Sequence, residues 1–166
     1  MKNQGKAFES NFRLSIPNRP NVFYYRLKDT ASSYYGGNEH LRFSQSNIAD
    51  AFLLHTNSEF DRTHLLILEL KSHKGKSLPF SAIRDNQLKE MFIASEYRKV
   101  LPFLIVFFSD IERCFALHIQ KVVALKQGAT RKSIPLEYFE KEGIEIEVTK
   151  LRTNYRYNIE KFLKEY

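Results

Sequence analysis

The sequence predicts a mixed α/β domain, a central mixed β-sheet flanked by helices. Three observations predict it. The periodic segments run in the order helix, strands, helix, strands, helix. Two segments, residues 64–70 and 103–108, are apolar on both faces, as strands in the middle of a covered sheet are. A chain of 166 residues with 43% hydrophobic content is long enough to bury about two-thirds of its unfolded surface around one core. No repeat, low-complexity segment or linker interrupts it, so residues 1–166 are expected to form a single domain.

Each element follows from its local pattern. In "GKAFESNFRLSI" (5–16), Phe8, Phe12 and Ile16 recur at helical spacing, and Pro17 ends the helix. "NVFYYRLK" (21–28) reads as a strand, and "IADAFLLH" (48–55) as a second one, oily on both faces. Between them the polar, glycine-bearing "DTASSYYGGNEHLRFSQSN" makes a long loop, a projecting hairpin or a short stalk at 29–46. In "HLLILELKSHKGKSLPF" (64–80), Leu65, Ile67, Glu69 and Lys71 share one strand face and Leu66, Leu68 and Leu70 the other, because side chains alternate with period two. "SAIRDNQLKEMFIASEYRK" (81–99) predicts a helix with Ser81 as N-cap and Ile83, Gln87 and Met91 on one face. "FLIVFF" after Pro102 and "RCFALHI" (113–119) are further strands. "IEIEVTKL" and "YNIEKFLKEY" close the chain as a strand and a helix.

Composition narrows the function classes. The one cysteine, Cys114, makes no internal disulfide and no cysteine metal site, which suits a reducing cytoplasmic setting with a buried thiol. "MKNQGKAFES" lacks the apolar core of a signal peptide, and the longest oily run, Val100 to Phe108, is far short of the roughly 20 residues that span a bilayer, so no membrane is expected. The net charge of +7 is uneven: residues 1–28 carry six Lys or Arg against one Glu, whereas 137–147 carry five Glu against Lys141. The basic parts favour a polyanion partner or are an ordinary solubilising surface.

The oily strand that ends on Glu69 and Lys71 raises a chemical question. Mg²⁺ takes hard oxygen ligands and keeps several waters, so two carboxylates beside a substrate phosphate suffice to hold it. A lysine beside them orients the attacking water or offsets charge growing on the phosphoryl group. Asp50, Glu69 and Lys71 supply that set if strands 48–55 and 64–71 are neighbours, with the Leu70 main-chain carbonyl as a further ligand. A Glu and a Lys on one strand face also form plain surface ion pairs. Asp50, flanked by Ala49 and Ala51, either has a charged partner such as a metal ion or ends its strand on solvent.

In this ordered series the chain resembles the PD-(D/E)xK nucleases, and more closely the RecU-type Holliday-junction resolvases. The resemblance is carried by "GKAFE" (5–9), "SQSNIAD" (44–50), "ELK" (69–71), the basic loop and oily Pro-containing "SHKGKSLPF" (72–80), and "RDNQLKEM" (84–91). It covers residues 3 to about 120. Extra residues stand around "TNSEFDR" between Asp50 and Glu69, and 29–46 is shorter than the stalk that such resolvases insert into the junction.

The resemblance implies a restriction-endonuclease-like fold and a Mg²⁺-dependent endodeoxyribonuclease, with Mn²⁺ able to substitute. It implies a bacterial or phage-encoded homodimer that nicks opposed strands of a four-way junction in recombination and leaves 5′-phosphates. Asp50 and Glu69 would bind the metal, Lys71 act on water or the transition state, Glu9 serve as an outer ligand, and Gln87 orient Lys71 or the phosphate. Lys74, Lys76 and Arg84 suit contacts to the DNA backbone, unless "KSHKGKS" is a solvated turn; Gly75 allows close approach. Tyr34 and Tyr35 either stack on exposed bases or pack locally. His55, His64 and His73 show no ligand spacing. A nuclease for another branched or duplex DNA, or a non-catalytic nucleic-acid-binding module, are the alternatives.

Overall fold

The structure is a computed structural model that describes residues 4–27, 47–57, 62–128 and 131–166. In chain order its elements are α1 (Gln4–Leu14), β1 (Val22–Arg26), β2 (Ala51–Asn57), β3 (Arg62–His73), β4 (Ser77–Pro79), a 3₁₀ turn (Phe80–Ala82), α2 (Asp85–Ala94), β5 (Val100–Phe108) and β6 (Arg113–His118). They continue with α3 (Ile119–Gly128), β7 (Ser133–Pro135), α4 (Leu136–Glu142), β8 (Ile144–Ile146), β9 (Val148–Lys150), β10 (Tyr155–Tyr157) and α5 (Ile159–Phe162).

Six strands form one mixed sheet in the order β1-β2-β3-β5-β6-β8, in which only β3 and β5 run parallel. A parallel pair needs a crossover, and α2 lies on it. The central strands β3 and β5 are buried on both faces from Leu66 to Leu70 and from Pro102 to Phe108, which is why their sequences are apolar without alternation. Leu66, Leu68 and Leu70 join Phe8 and Phe12 of α1 and Phe162 of α5 in one core; Ile67 joins Leu88 and Met91 of α2, Val122 of α3 and Phe139 of α4 in the other. This is the α/β sheet with helices on both faces that the sequence predicts. Among the described residues no helix is long and apolar enough to cross a membrane.

Several boundaries differ from the sequence reading. β2 starts at Ala51, and its faces are unequal: Ala51, Leu53 and His55 are buried, while Leu54 is 41% exposed. The helix expected over 81–99 spans only Asp85–Ala94. Before it, β4 pairs with β7 and Phe80 N donates to Lys132 O at 3.0 Å, and a single 3₁₀ turn at Phe80–Ala82 follows, so the α-helix cannot begin until after Arg84. Ser81 is exposed and is not the cap; Arg84 stands at that position, extended and without a side-chain cap bond. Ser95 ends the helix by donating its hydroxyl to Phe92 O at 2.6 Å. "IEIEVTKL" is two strands rather than one, β8 in the main sheet and β9 paired with β10, and the closing helix shrinks to Ile159–Phe162.

The strand expected over 113–119 ends at His118, and Ile119 together with residues 120–142, which the periodicity left without elements, holds α3, β7 and α4. The acidic segment 137–147 is a structural one. Arg113 bridges Glu140 and Glu145, Lys121 meets Glu142 at 3.2 Å, and Lys161 meets Glu147 at 2.5 Å. Cys114 is free and buried, and burial pushes its thiol well up.

Candidate active site

The site is built where β3 outruns β2. The last ladder pair is Ala51 with Leu68. One residue further, the main chain of Asp50 still follows the register, with Asp50 N donating to Leu68 O at 3.1 Å and Leu27 N donating to Asp50 O at 2.9 Å. The antiparallel register therefore sets Asp50 across from Glu69, and alternation points both toward the α2 face. Beyond that point β2 has no residue to satisfy β3. The Asp50 carboxylate does so instead, its Oδ2 accepting from Leu70 N at 2.7 Å. Both polar groups of a strand residue point to the same side, so the Leu70 carbonyl faces Asp50 as well.

Glu69 is almost wholly enclosed, its side chain 1% exposed. Oε1 lies 2.7 Å from Lys71 Nζ in an ion pair, and Oε2 accepts from Gln87 Nε2 at 3.0 Å. The sequence places Glu69 and Lys71 two residues apart, hence on one strand face, and α2 delivers Gln87 onto that face beside Met91. Gln87 thus holds Glu69 rather than Lys71. Among the described residues, Glu69 Oε1 accepts no well-aligned hydrogen bond and Gln87 Oε1 has no partner.

These surroundings set the charge of Glu69. Burial, with the neighbouring Asp50 carboxylate adding to it, pushes its carboxyl up to about 7, against the pull of Lys71 and Arg84. A buried carboxyl with a second carboxylate beside it lacks positive charge, despite one ammonium in contact.

The remaining candidates lie around this centre. Glu9 projects from α1, on the other helical layer, and pairs with Arg26 of β1 at 2.6 Å. Glu9 and Arg26 line a groove of about 240 Å³ with Lys6, Ser10 and Arg13. Tyr24 ties the two regions together: burial raises its phenol to about 12, and both Asp50 and Glu9 act on it in the same direction. Lys74 and Lys76 are exposed on the turn after β3, where Gly75 takes φ +102°, a conformation that calls for glycine. Arg84 is exposed and close enough to act on Glu69. Tyr34, Tyr35 and the segment 29–46 lie outside the described residues.

His55 and His64 face each other across β2 and β3, with the Tyr166 ring edge-on to both. No cluster of three or more His, Cys, Asp or Glu that would hold a metal occurs among the described residues. The donor set at Asp50 and Glu69 is therefore two carboxylates and a carbonyl, hard oxygens that suit a Mg²⁺ retaining its waters and do not suit a fully protein-ligated zinc. The raised Glu69 carboxyl, which the one Lys71 ammonium at 2.7 Å does not offset, fits a cation there.

The sequence reading missed what surrounds the site. The role of Leu70 N as the clamp on Asp50 has no side-chain signature. Phe23, Tyr25 and Leu54 form an uncovered patch, 61%, 48% and 41% exposed, on the sheet face that also carries Asp50; a run of aromatic and aliphatic residues in the sequence gives no sign of which face stays uncovered.

A family model described as Recombination protein U matches residues 44–161, more than half of the chain and including Asp50, Glu69, Lys71 and Gln87. The α1 segment with Glu9 falls outside the matched residues. No curated protein matches the chain.

Proposed function

The chain belongs to the RecU family of recombination-related Holliday-junction resolvases, and from that premise we propose that it is a Mg²⁺-dependent endonuclease whose centre is Asp50, Glu69 and Lys71. The observation that carries the reading is the register that sets Asp50 across from Glu69, with Lys71 in ion contact at 2.7 Å and a buried carboxylate short of positive charge.

Asp50, Glu69 and the Leu70 carbonyl would hold the ion. When bound, Mg²⁺ supplies a Lewis acid for the scissile phosphate and lowers the pKa of a coordinated water. The chain's own residues do the rest. Asp50 is fixed by the Leu70 amide and Glu69 by Gln87, so the carboxylates pay little reorganisation as charge develops. Lys71 reaches outward from Glu69, and its ammonium positions the attacking water or neutralises the phosphoryl oxygens. Attack in line leaves a 5′-phosphate. Lys74, Lys76 and Arg84 take phosphates of the bound strand. Glu9, paired with Arg26, serves at most as an outer partner of the hydrated ion.

The working unit is a homodimer, because two symmetric sites suit a four-way junction whose arms are related by a two-fold axis. The exposed Phe23, Tyr25 and Leu54 support a second copy on that face. The test is cleavage of a labelled immobile four-way junction against linear duplex and single strands, with Mg²⁺ or with EDTA. Paired symmetric nicks on the junction, dependent on Mg²⁺, are expected. Equal cutting of linear duplex would leave a nuclease with another DNA substrate, and salt-sensitive binding with no cleavage would leave a binding module.

A further inference from the structure

The β4–β7 ribbon brings two basic segments that are more than 50 residues apart in sequence onto one rim. Ser77 pairs with Pro135, Leu78 with Ile134 and Pro79 with Ser133. Backbone bonds extend the pairing at both ends, Leu136 N to Lys76 O at 2.9 Å and Phe80 N to Lys132 O at 3.0 Å. A hydroxyl bond between Ser77 and Ser133 at 2.6 Å clamps the middle. Leu78 and Ile134 are buried in the core that packs α2 on the sheet, so the ribbon is anchored.

Its outer ends are cationic. Lys76, Arg84, Arg131 and Lys132 are all exposed. The order along the rim is fixed by the chain: Lys132 is bonded to Phe80, Phe80 lies four residues before Arg84, and Arg84 acts electrostatically on Glu69. The nearest acid on this path, Asp85, is already neutralised by Lys126 at 2.6 Å, whose ammonium also lies 6.0 Å from the Phe80 ring centre. Four exposed cations thus flank a pinned ribbon, Lys76 at one end and Arg131 and Lys132 at the other, with Arg84 four residues beyond Phe80.

Resting on the nuclease reading above, we propose that Arg131 and Lys132 form a second arm of the DNA-backbone site, binding phosphates that flank the scissile one along the β4–β7 rim. Neither residue touches the reacting atoms. They set how the strand enters the cleft, and the ribbon keeps them at a fixed distance from Arg84 while Lys74 and Lys76 hold the other end.

The test is binding of a labelled four-way junction in EDTA, followed by anisotropy across a salt series, for the wild type, R131A/K132A and K164A. Lys164 is an exposed cation on the opposite helical layer and serves as the charge control. Each lost phosphate contact lowers the slope of log K against log salt by about 0.9, so R131A/K132A should lose about 2 from the slope while K164A keeps that of the wild type. An R131A/K132A slope no shallower than that of K164A overturns the proposal, as does a fall in the saturated cleavage rate with binding unchanged. A wild type that binds but never cleaves defeats the nuclease reading and leaves the slope comparison standing.

Discussion

Removing the charge of Glu69 should stabilise the metal-free protein, and by an amount that depends on pH. Its carboxyl stands at about 7 in the fold against an ordinary 4.5, chiefly because burial disfavours the ion and then because Asp50 lies across from it. A group whose folded pKa is raised contributes its stability fully below 4.5, and loses it as pH rises through about 7. The full swing is about 3 kcal/mol, since each pKa unit corresponds to about 1.4 kcal/mol. Glu69→Gln keeps the shape and an acceptor for Gln87 but does not titrate. In EDTA, urea unfolding across pH 5 to 8 should therefore show wild-type stability falling relative to Glu69→Gln, with most of the difference developed by pH 7.5. Burial lowers the pKa of His55, His64 and His118, but these groups are common to both proteins and cancel in the difference. Mg²⁺ should reverse the trend in the wild type alone. Parallel stability curves for the two proteins would refute the reasoning, because Glu69 would then titrate as an exposed carboxylate.

Three further outcomes follow from the same geometry. Mg²⁺ affinity should fall about tenfold per pH unit below 7 and level off above it, as metal binding displaces the Glu69 proton; calorimetric titration at pH 5.5, 6.5 and 8 reads this directly. Lys71→Met should slow single-turnover junction cleavage by about a hundredfold or more, with junction affinity within a few-fold of wild type, the mark of a group that acts in the transition state. Gly143→Ala should destabilise the fold by about 1–3 kcal/mol in urea unfolding, because a Cβ there would stand 2.6 Å from Phe139 O and 3.2 Å from Ala116 O, both backbone atoms.

The sheet was legible because its strands announce themselves. β3 and β5 are apolar without alternation, and only a strand covered on both faces is. Glu69 and Lys71 were legible where that apolarity ends, Asp50 as a charge between two alanines, and Gln87 through its place on the Ile83–Met91 helix face and the family resemblance. The second half was harder. α3 opens on Ile119 directly from β6, with the His118 ring rather than a Ser, Thr, Asp or Asn accepting from Gln120 N at 3.4 Å, so its start looks like more strand. α4 is only Leu136–Glu142, yet Pro135 before it and Gly143 after it mark the ends of a helix, a signal the periodicity did not use. The ribbon that joins Lys76 to Lys132 rests on backbone pairing between three-residue strands, and no pattern of side chains encodes which short strand finds which. Ser81 looked like a cap because it precedes an apolar repeat; tertiary pairing of the residues before it moved the helix start to Asp85.

The most direct test of the central claim separates cleavage from binding in Asp50→Ala. This variant removes one carboxylate of the proposed metal pair and the acceptor of the Leu70 amide, while Lys74, Lys76 and Arg84 keep their places on the proposed DNA path. With Mg²⁺ present, the variant should bind a four-way junction as well as the wild type or better and produce no nicks. Paired nicks at the wild-type rate from Asp50→Ala would contradict the account and place the catalytic metal elsewhere in the chain.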